Sequence, residues 1–113
     1  VKVTTIADGL VASAATFLLL GGHERMAMEH CMVLIHQLST AFLGKYADLV
    51  DEMRNSHQLM RMIRLLYKKH TKLRKSHLKS ILDKELMMTA KQCVTFGIID
   101  KIFHPGMVGV PSA

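Results

Sequence analysis

Thr4-Thr-Ile-Ala-Asp-Gly-Leu-Val-Ala-Ser13-Ala-Ala-Thr-Phe-Leu-Leu-Leu-Gly-Gly22 is the stretch whose reading decides the fold. It opens on a short β-branched run over residues 2–6, which reads as a strand. Asp8-Gly9 punctuates that run, and the Ala/Leu-rich segment 11–20 has helix-forming composition. The unit is therefore strand, tight turn, helix. Gly21-Gly22 is expected to end the helix, because glycine accepts the left-handed conformation that closes a helix C-terminus. Ser13 then falls in the first turn of a helix that follows a strand. There, free backbone N–H groups and the helix dipole favour developing negative charge. A serine so placed is suited to nucleophilic attack, and the N–H of the next residue, Ala14, is suited to donate an oxyanion hydrogen bond. On this segment alone, a helix N-cap or a small packing residue is the commoner reading of Ser13.

Outward from this unit, a polar link containing His23-Glu24-Arg25 leads to Cys31-Met-Val-Leu-Ile35. That run is continuously apolar, as expected for a parallel strand buried on both faces. His36 and Gln37 follow at its C-terminal end, where catalytic groups gather in open α/β sheets. An unassisted serine is a weak nucleophile at neutral pH, and a histidine can supply the base it needs. A lone histidine at a strand end is more often structural. The two features gain weight together, in the order strand-Ser-helix, strand-His, long helix, then an acid before a helix.

Residues 46–69 carry apolar positions Leu49, Met53, Met60, Ile63 and Leu66 or Tyr67, one stripe of a long amphipathic helix. A helix this long in so small a chain is expected to pack partly on another subunit. Further helices are predicted over 75–82 and 89–96, the second opened by Thr89 as N-cap and stopped by Gly97. A last short strand covers 98–102, and 105–113 reads as a tail.

With 113 residues, 50% of them apolar, the chain is expected to form one small α/β domain. Its divisions are 1–40 (strand, serine helix, histidine strand), 41–72 (long helix), 73–104 (later helices and strand) and 105–113 (tail). The chain opens on Val1, and we expect a fragment or a processed product. The apolar core between Gly9 and Gly22 runs about 12 residues, too short for the roughly 20 a membrane-spanning helix needs. It also lacks the basic flank of a signal peptide. Cys31 and Cys93 sit far apart in apolar runs, which fits buried thiols in a reducing compartment, hence a cytoplasm, better than a disulfide. Of the seven histidines, His23/His30 and His70/His77 are seven apart without carboxylate or cysteine at ligand spacing, so no metal or other cofactor is expected. The nine methionines read as adaptable packing. The net charge of +6 concentrates in residues 54–79, where nine Lys and Arg occur without one acid. A nucleic-acid or acidic-partner surface must be considered, but with Tyr67 as its one aromatic the stretch reads first as a solvated helix face.

At this point the residues resemble a known family. The segment Thr4 to Gly22 quoted above is similar to the nucleophile segment of the Clp protease proteolytic subunit, and Val33-Leu-Ile-His36-Gln37 resembles its histidine segment. Gly44-Lys-Tyr-Ala-Asp48, leading into a long helix that ends near His70-Thr71, resembles the family's handle. Met87-Met-Thr-Ala90 and Phe96-Gly-Ile-Ile-Asp100 resemble its C-terminal segment. The resemblance runs from about Val3 to Phe103. It implies the superhelix of βα units that this family shares with crotonases, lacking here its N-terminal part. It also implies Ser13 as nucleophile, His36 as general base, Ala14 as backbone oxyanion donor and Glu85 as orienting acid. The implied protein is a serine endopeptidase subunit of a self-compartmentalising, ATP-dependent protease of the cytoplasm or an organelle stroma or matrix. Its partners would be identical or related subunits in rings, an AAA+ unfoldase and unfolded polypeptide.

The departures from the family pattern are specific. Glu85 stands where the family has aspartate, Met87 where it has an aromatic, and Asp83 is the nearby substitute acid. Leu38 replaces the proline after the His-Gln pair, Ser39-Thr40 replaces a glycine pair, and the link from Gly22 to Cys31 is shorter. The family's upstream half, with the glycine-rich turn that gives the second oxyanion donor, has no counterpart here, so one edge and one face of the sheet should lie uncovered. A non-catalytic ring subunit or scaffold is the alternative these departures favour. A basic nucleic-acid-binding fragment carried by residues 54–79 is the third.

Overall fold

The computed structural model describes residues 1–104; the tail expected over 105–113 lies outside the described residues. The first strand, β1 (Thr4–Ala7), is followed after Asp8-Gly9 by a second, β2 (Leu10–Ala12). Gly9 sits at φ +75°, a conformation open to glycine without a Cβ clash, and it lets the chain step from one sheet into another. Val11 and Ala12 fall in the segment expected to be helical. They are a strand because Val11 and Ala12 pair with Val33 and Leu34, and tertiary pairing outweighs a local helix propensity of a few tenths of a kcal/mol.

Helix α1 (Ala14–Leu20) ends without the expected left-handed cap: Gly21 is right-handed at φ −72°, and its N–H donates to the Phe17 and Leu18 carbonyls. The glycine that matters is Gly22, for space. A Cβ there would collide with Thr5 Oγ1 and lie 2.9 Å from the Glu24 carbonyl oxygen.

The predicted polar link contains β3 (Glu24–Ala27), parallel to β1 with Thr4 opposite Glu24. Its charged residues hide the strand from a hydropathy pattern, yet each has a partner. Glu24 pairs with Lys101 at 2.7 Å, and Arg25 Nη1 donates to the His70 carbonyl at 2.7 Å. Strand β4 (Met32–Leu34) runs parallel to β2. Cys31, Val33 and Ile35 are buried as expected, but Met32 is 39% exposed and Leu34 only half-buried. One face is covered, not two.

Helix α2 (Tyr46–His70) carries Asp48 in its first turn and Lys68, Lys69 and His70 in its last, in accord with the helix dipole. Asp48 also accepts from the Lys45 N–H at 3.3 Å. The predicted stripe divides in two. Met60, Ile63 and Tyr67 pack on the core, whereas Leu49 and Met53 are 43% and 59% exposed. After α3 (Lys75–Asp83) come a strand that sequence reading did not anticipate, β5 (Met87–Thr89), and α4 (Ala90–Thr95). Thr89 caps α4 as expected: its side chain accepts from the Gln92 N–H while Gln92 Oε1 accepts from the Thr89 N–H, a reciprocal capping box. Gly97, at φ +70°, closes the helix. The predicted last strand contracts to β6 (Lys101–Ile102), because Ile98 and Ile99 turn into the core.

Two sheets result. One is parallel, in order β1-β3-β6; the other is mixed, in order β2-β4-β5, with β5 antiparallel. In each, the strand of the opening unit is outermost, so among the described residues β1 and β2 both present an open edge. A continuous core joins the sheets to the helices through Val33, Ile35, Tyr67, Leu82, Cys93 and Ile98. No helix among the described residues is long and apolar enough to cross a membrane.

Candidate active site

Parallel pairing of β2 with β4 brings two chain ends to the same place. Ala12 lies opposite Leu34, so the residues that follow each strand emerge side by side. The Ser13 N–H continues the ladder by donating to the Leu34 carbonyl at 3.2 Å, and Thr16 Oγ1 contacts the same oxygen at 3.5 Å. Ser13 adopts φ 55°, ψ −125°, the one positive φ outside glycine among the described residues. A side chain in that region costs about 1–2 kcal/mol. It is held because the ladder fixes the residue before it and α1 the residue after it. Ser13 stands at the N-cap position of α1, but its side chain makes no capping hydrogen bond. Its Oγ is hydrogen-bonded instead to Nε2 of His36.

The other imidazole nitrogen fixes the proton inventory. His36 Nδ1 lies 2.7 Å from the backbone carbonyl oxygen of Gln37. A carbonyl can only accept, so the proton resides on Nδ1 and Nε2 is the lone-pair acceptor for the Ser13 hydroxyl. The Gln37 N–H donates to the Leu82 carbonyl at 3.1 Å, which docks the end of α3 against the histidine segment. Leu38 N–H points to Met60 Sδ of α2 at 3.1 Å.

Of the predicted residues, Ser13 and His36 come together, and Ala14 lines the same cavity. As the first residue of α1, Ala14 has no intrahelical acceptor for its N–H. Glu85 lies exposed in the turn after α3; among the described residues neither it nor Asp83 hydrogen-bonds or ion-pairs with His36. The cavity over the pair measures about 250 Å³ and is walled by Phe17, Leu38, Ile63 and Tyr67. Phe17 stacks on Tyr67 with ring centroids 5.2 Å apart. Burial pushes the Tyr67 hydroxyl up to about 12 against a smaller opposing effect of its hydrogen bond with Thr16, so this wall stays neutral. Sequence reading missed the wall and the Gln37 carbonyl. The Ile63/Tyr67 stripe was visible, but not what it would face, and a backbone acceptor leaves no mark in a sequence.

Cys31 and Cys93 are both buried and free. Burial, and then the proximity of Cys31, pushes the Cys93 thiol up to about 12; burial, and then Asp8, raises Cys31. Neither is a nucleophile at neutral pH. No cluster of three or more His, Cys, Asp or Glu converges among the described residues.

A serine hydroxyl bonded to an imidazole, at a strained strand-to-helix bend in a mixed α/β fold, is an arrangement compatible with a nucleophile–base pair. Residues 1–106 match the model of the Clp protease family. This chain belongs to the Clp protease family. Among curated proteins it is similar to the ATP-dependent Clp protease proteolytic subunit of Ostreococcus tauri, with 34% identity over 103 residues, covering 89% of this chain and 52% of that protein. The chain thus spans about half the length of this relative.

Proposed function

We propose that this chain supplies the nucleophile and general base of a serine endopeptidase that hydrolyses unfolded polypeptide. The observation that carries the reading is the hydrogen bond between Ser13 Oγ and His36 Nε2, with Nδ1 already donating. In this reading His36 takes the hydroxyl proton as Ser13 attacks the scissile carbonyl, then returns it to the leaving amine. The Ala14 N–H donates to the oxyanion, and a second donor comes from an upstream half. The apolar cavity beside Ser13 receives a side chain of the substrate. Glu85 is the candidate third member, with Asp83 the substitute acid; both lie within three residues of Leu82, whose carbonyl accepts from the Gln37 N–H beside His36.

At the scale of the assembly, the exposed Leu49 and Met53 of α2 suit a handle helix buried between subunits of stacked rings. Family membership supports rings served by an ATP-driven unfoldase in a cytoplasm or an organelle interior, and two free thiols accord with a reducing compartment. The test is labelling with a fluorescent fluorophosphonate or β-lactone, with the upstream half supplied in trans. Labelling lost in both Ser13→Ala and His36→Ala is expected. No labelling of folded, ring-forming protein would overturn the enzyme reading.

A second reading, a non-catalytic ring subunit, draws on the bond from Nδ1 to a backbone carbonyl and on Leu38-Ser39-Thr40 in the family's proline and glycine positions. It predicts ring assembly without probe labelling.

A further inference from the structure

Away from the serine site, α2 and α3 meet along a groove of about 390 Å³ that shares no wall residue with the cavity over Ser13. Arg61, Arg64 and Lys68 reach it from α2, and Lys75 and Lys79 from α3. These positions, three and four apart on each helix, are the stripes that would ordinarily be apolar where two helices pack. Apart from Asp83 at its edge, the groove has no carboxylate. None of the five cations has a hydrogen bond or ion pair among the described residues. Arg74 and Lys75 moreover open α3 with no acid in its first turn, adding positive charge where the helix dipole is already positive. Five crowded, unpaired cations repel one another, a cost that an anionic partner relieves. The floor is apolar: Leu78 is buried, and Leu65 remains 58% exposed although flanked by charge.

We infer that this groove is a docking surface for an acidic, leucine-bearing segment of another polypeptide. Carboxylates meet the rim, and an apolar side chain covers Leu65 on the floor. Peptide suits the groove better than nucleic acid: the nearby aromatic, Tyr67, is buried and cannot stack on a base, and the apolar floor at Leu65 and Leu78 suits an aliphatic side chain. The inference is independent of the peptidase reading.

The test is fluorescence anisotropy of a fluorescein-labelled synthetic peptide, with glutamates and leucines at helical spacing, titrated with the full chain. Binding that weakens with added salt is expected, since the attraction is screened. Lys79→Glu should weaken it about tenfold, and Leu65→Ser, an exposed substitution, should weaken it measurably at constant circular dichroism. Lys91→Glu, the same charge change on α4, should leave it unaltered. Equal binding of the peptide with glutamine for glutamate would overturn the proposal. So would no binding, an equal effect of Lys91→Glu, or tighter binding of a single-stranded oligonucleotide. Self-association abolished by Lys79→Glu would make a second copy the occupant and overturn it too.

Discussion

Ser13 is where local strain and chemistry coincide. The positive φ that releases its hydroxyl from capping is one a glycine adopts freely. Ser13→Gly should therefore raise the free energy of unfolding by about 1 kcal/mol in denaturant titration while abolishing probe labelling. Ser13→Ala should abolish labelling without that gain. A protein more stable without its serine is one whose backbone is held there for a purpose. Cys93 gives a prediction of opposite character. Its folded thiol is raised from 9.0 to about 12 by burial, then by Cys31. The stability this confers is full below pH 9 and is lost as pH rises towards 12, because the unfolded thiol ionises first. In Cys93→Ala the fall of stability with pH above 9 should be shallower, as followed by denaturant midpoints across that range. That Ser13 lies between a strand and a helix and that His36 follows a second strand is legible in the sequence. Their bond is not, because it depends on the parallel register of β2 and β4. The Gln37 carbonyl at Nδ1 was beyond any reading of side-chain identity.

At the scale of elements, sequence read best where side-chain chemistry acts locally. Thr89 and Gln92 form their capping box within four residues, and Thr89→Ala should cost about 1 kcal/mol of stability by thermal melting. It read worst where long-range pairing decides. Val11 and Ala12 of strand β2 read as helix because they open the Ala/Leu-rich run 11–20, while their ladder partners lie more than 20 residues away. Strand β3 escapes a sequence reading because the partners of its charged residues are remote: Lys101 pairs with Glu24, the His70 carbonyl accepts from the Arg25 guanidinium, and the Asp100 carboxylate accepts from the Arg25 N–H. Gly22 shows the same limit: it was assigned a conformational role and has a steric one. Gly22→Ala should destabilise by about 1–3 kcal/mol, as an added methyl forces Thr5 and the start of β3 apart, and the loss should appear as a lower denaturant midpoint.

For the whole molecule, the α/β class and the order of the main elements could be read from composition and punctuation, while the division into two sheets could not, since Asp8-Gly9 looks the same whether a chain turns within a sheet or between sheets. The open edges of β1 and β2 carry one further consequence. Each offers a row of unpaired main-chain donors and acceptors to whatever strand arrives first. During synthesis, that is as easily a neighbouring copy on the same polysome as a rightful partner. A polypeptide that supplied covering strands would therefore act as a dedicated chaperone, by occupying the template before misassociation can begin. Produced alone, the chain should form thioflavin-positive deposits; produced with such strands, it should remain in the supernatant. A Lys placed at exposed Leu10 should reproduce part of that protection unaided.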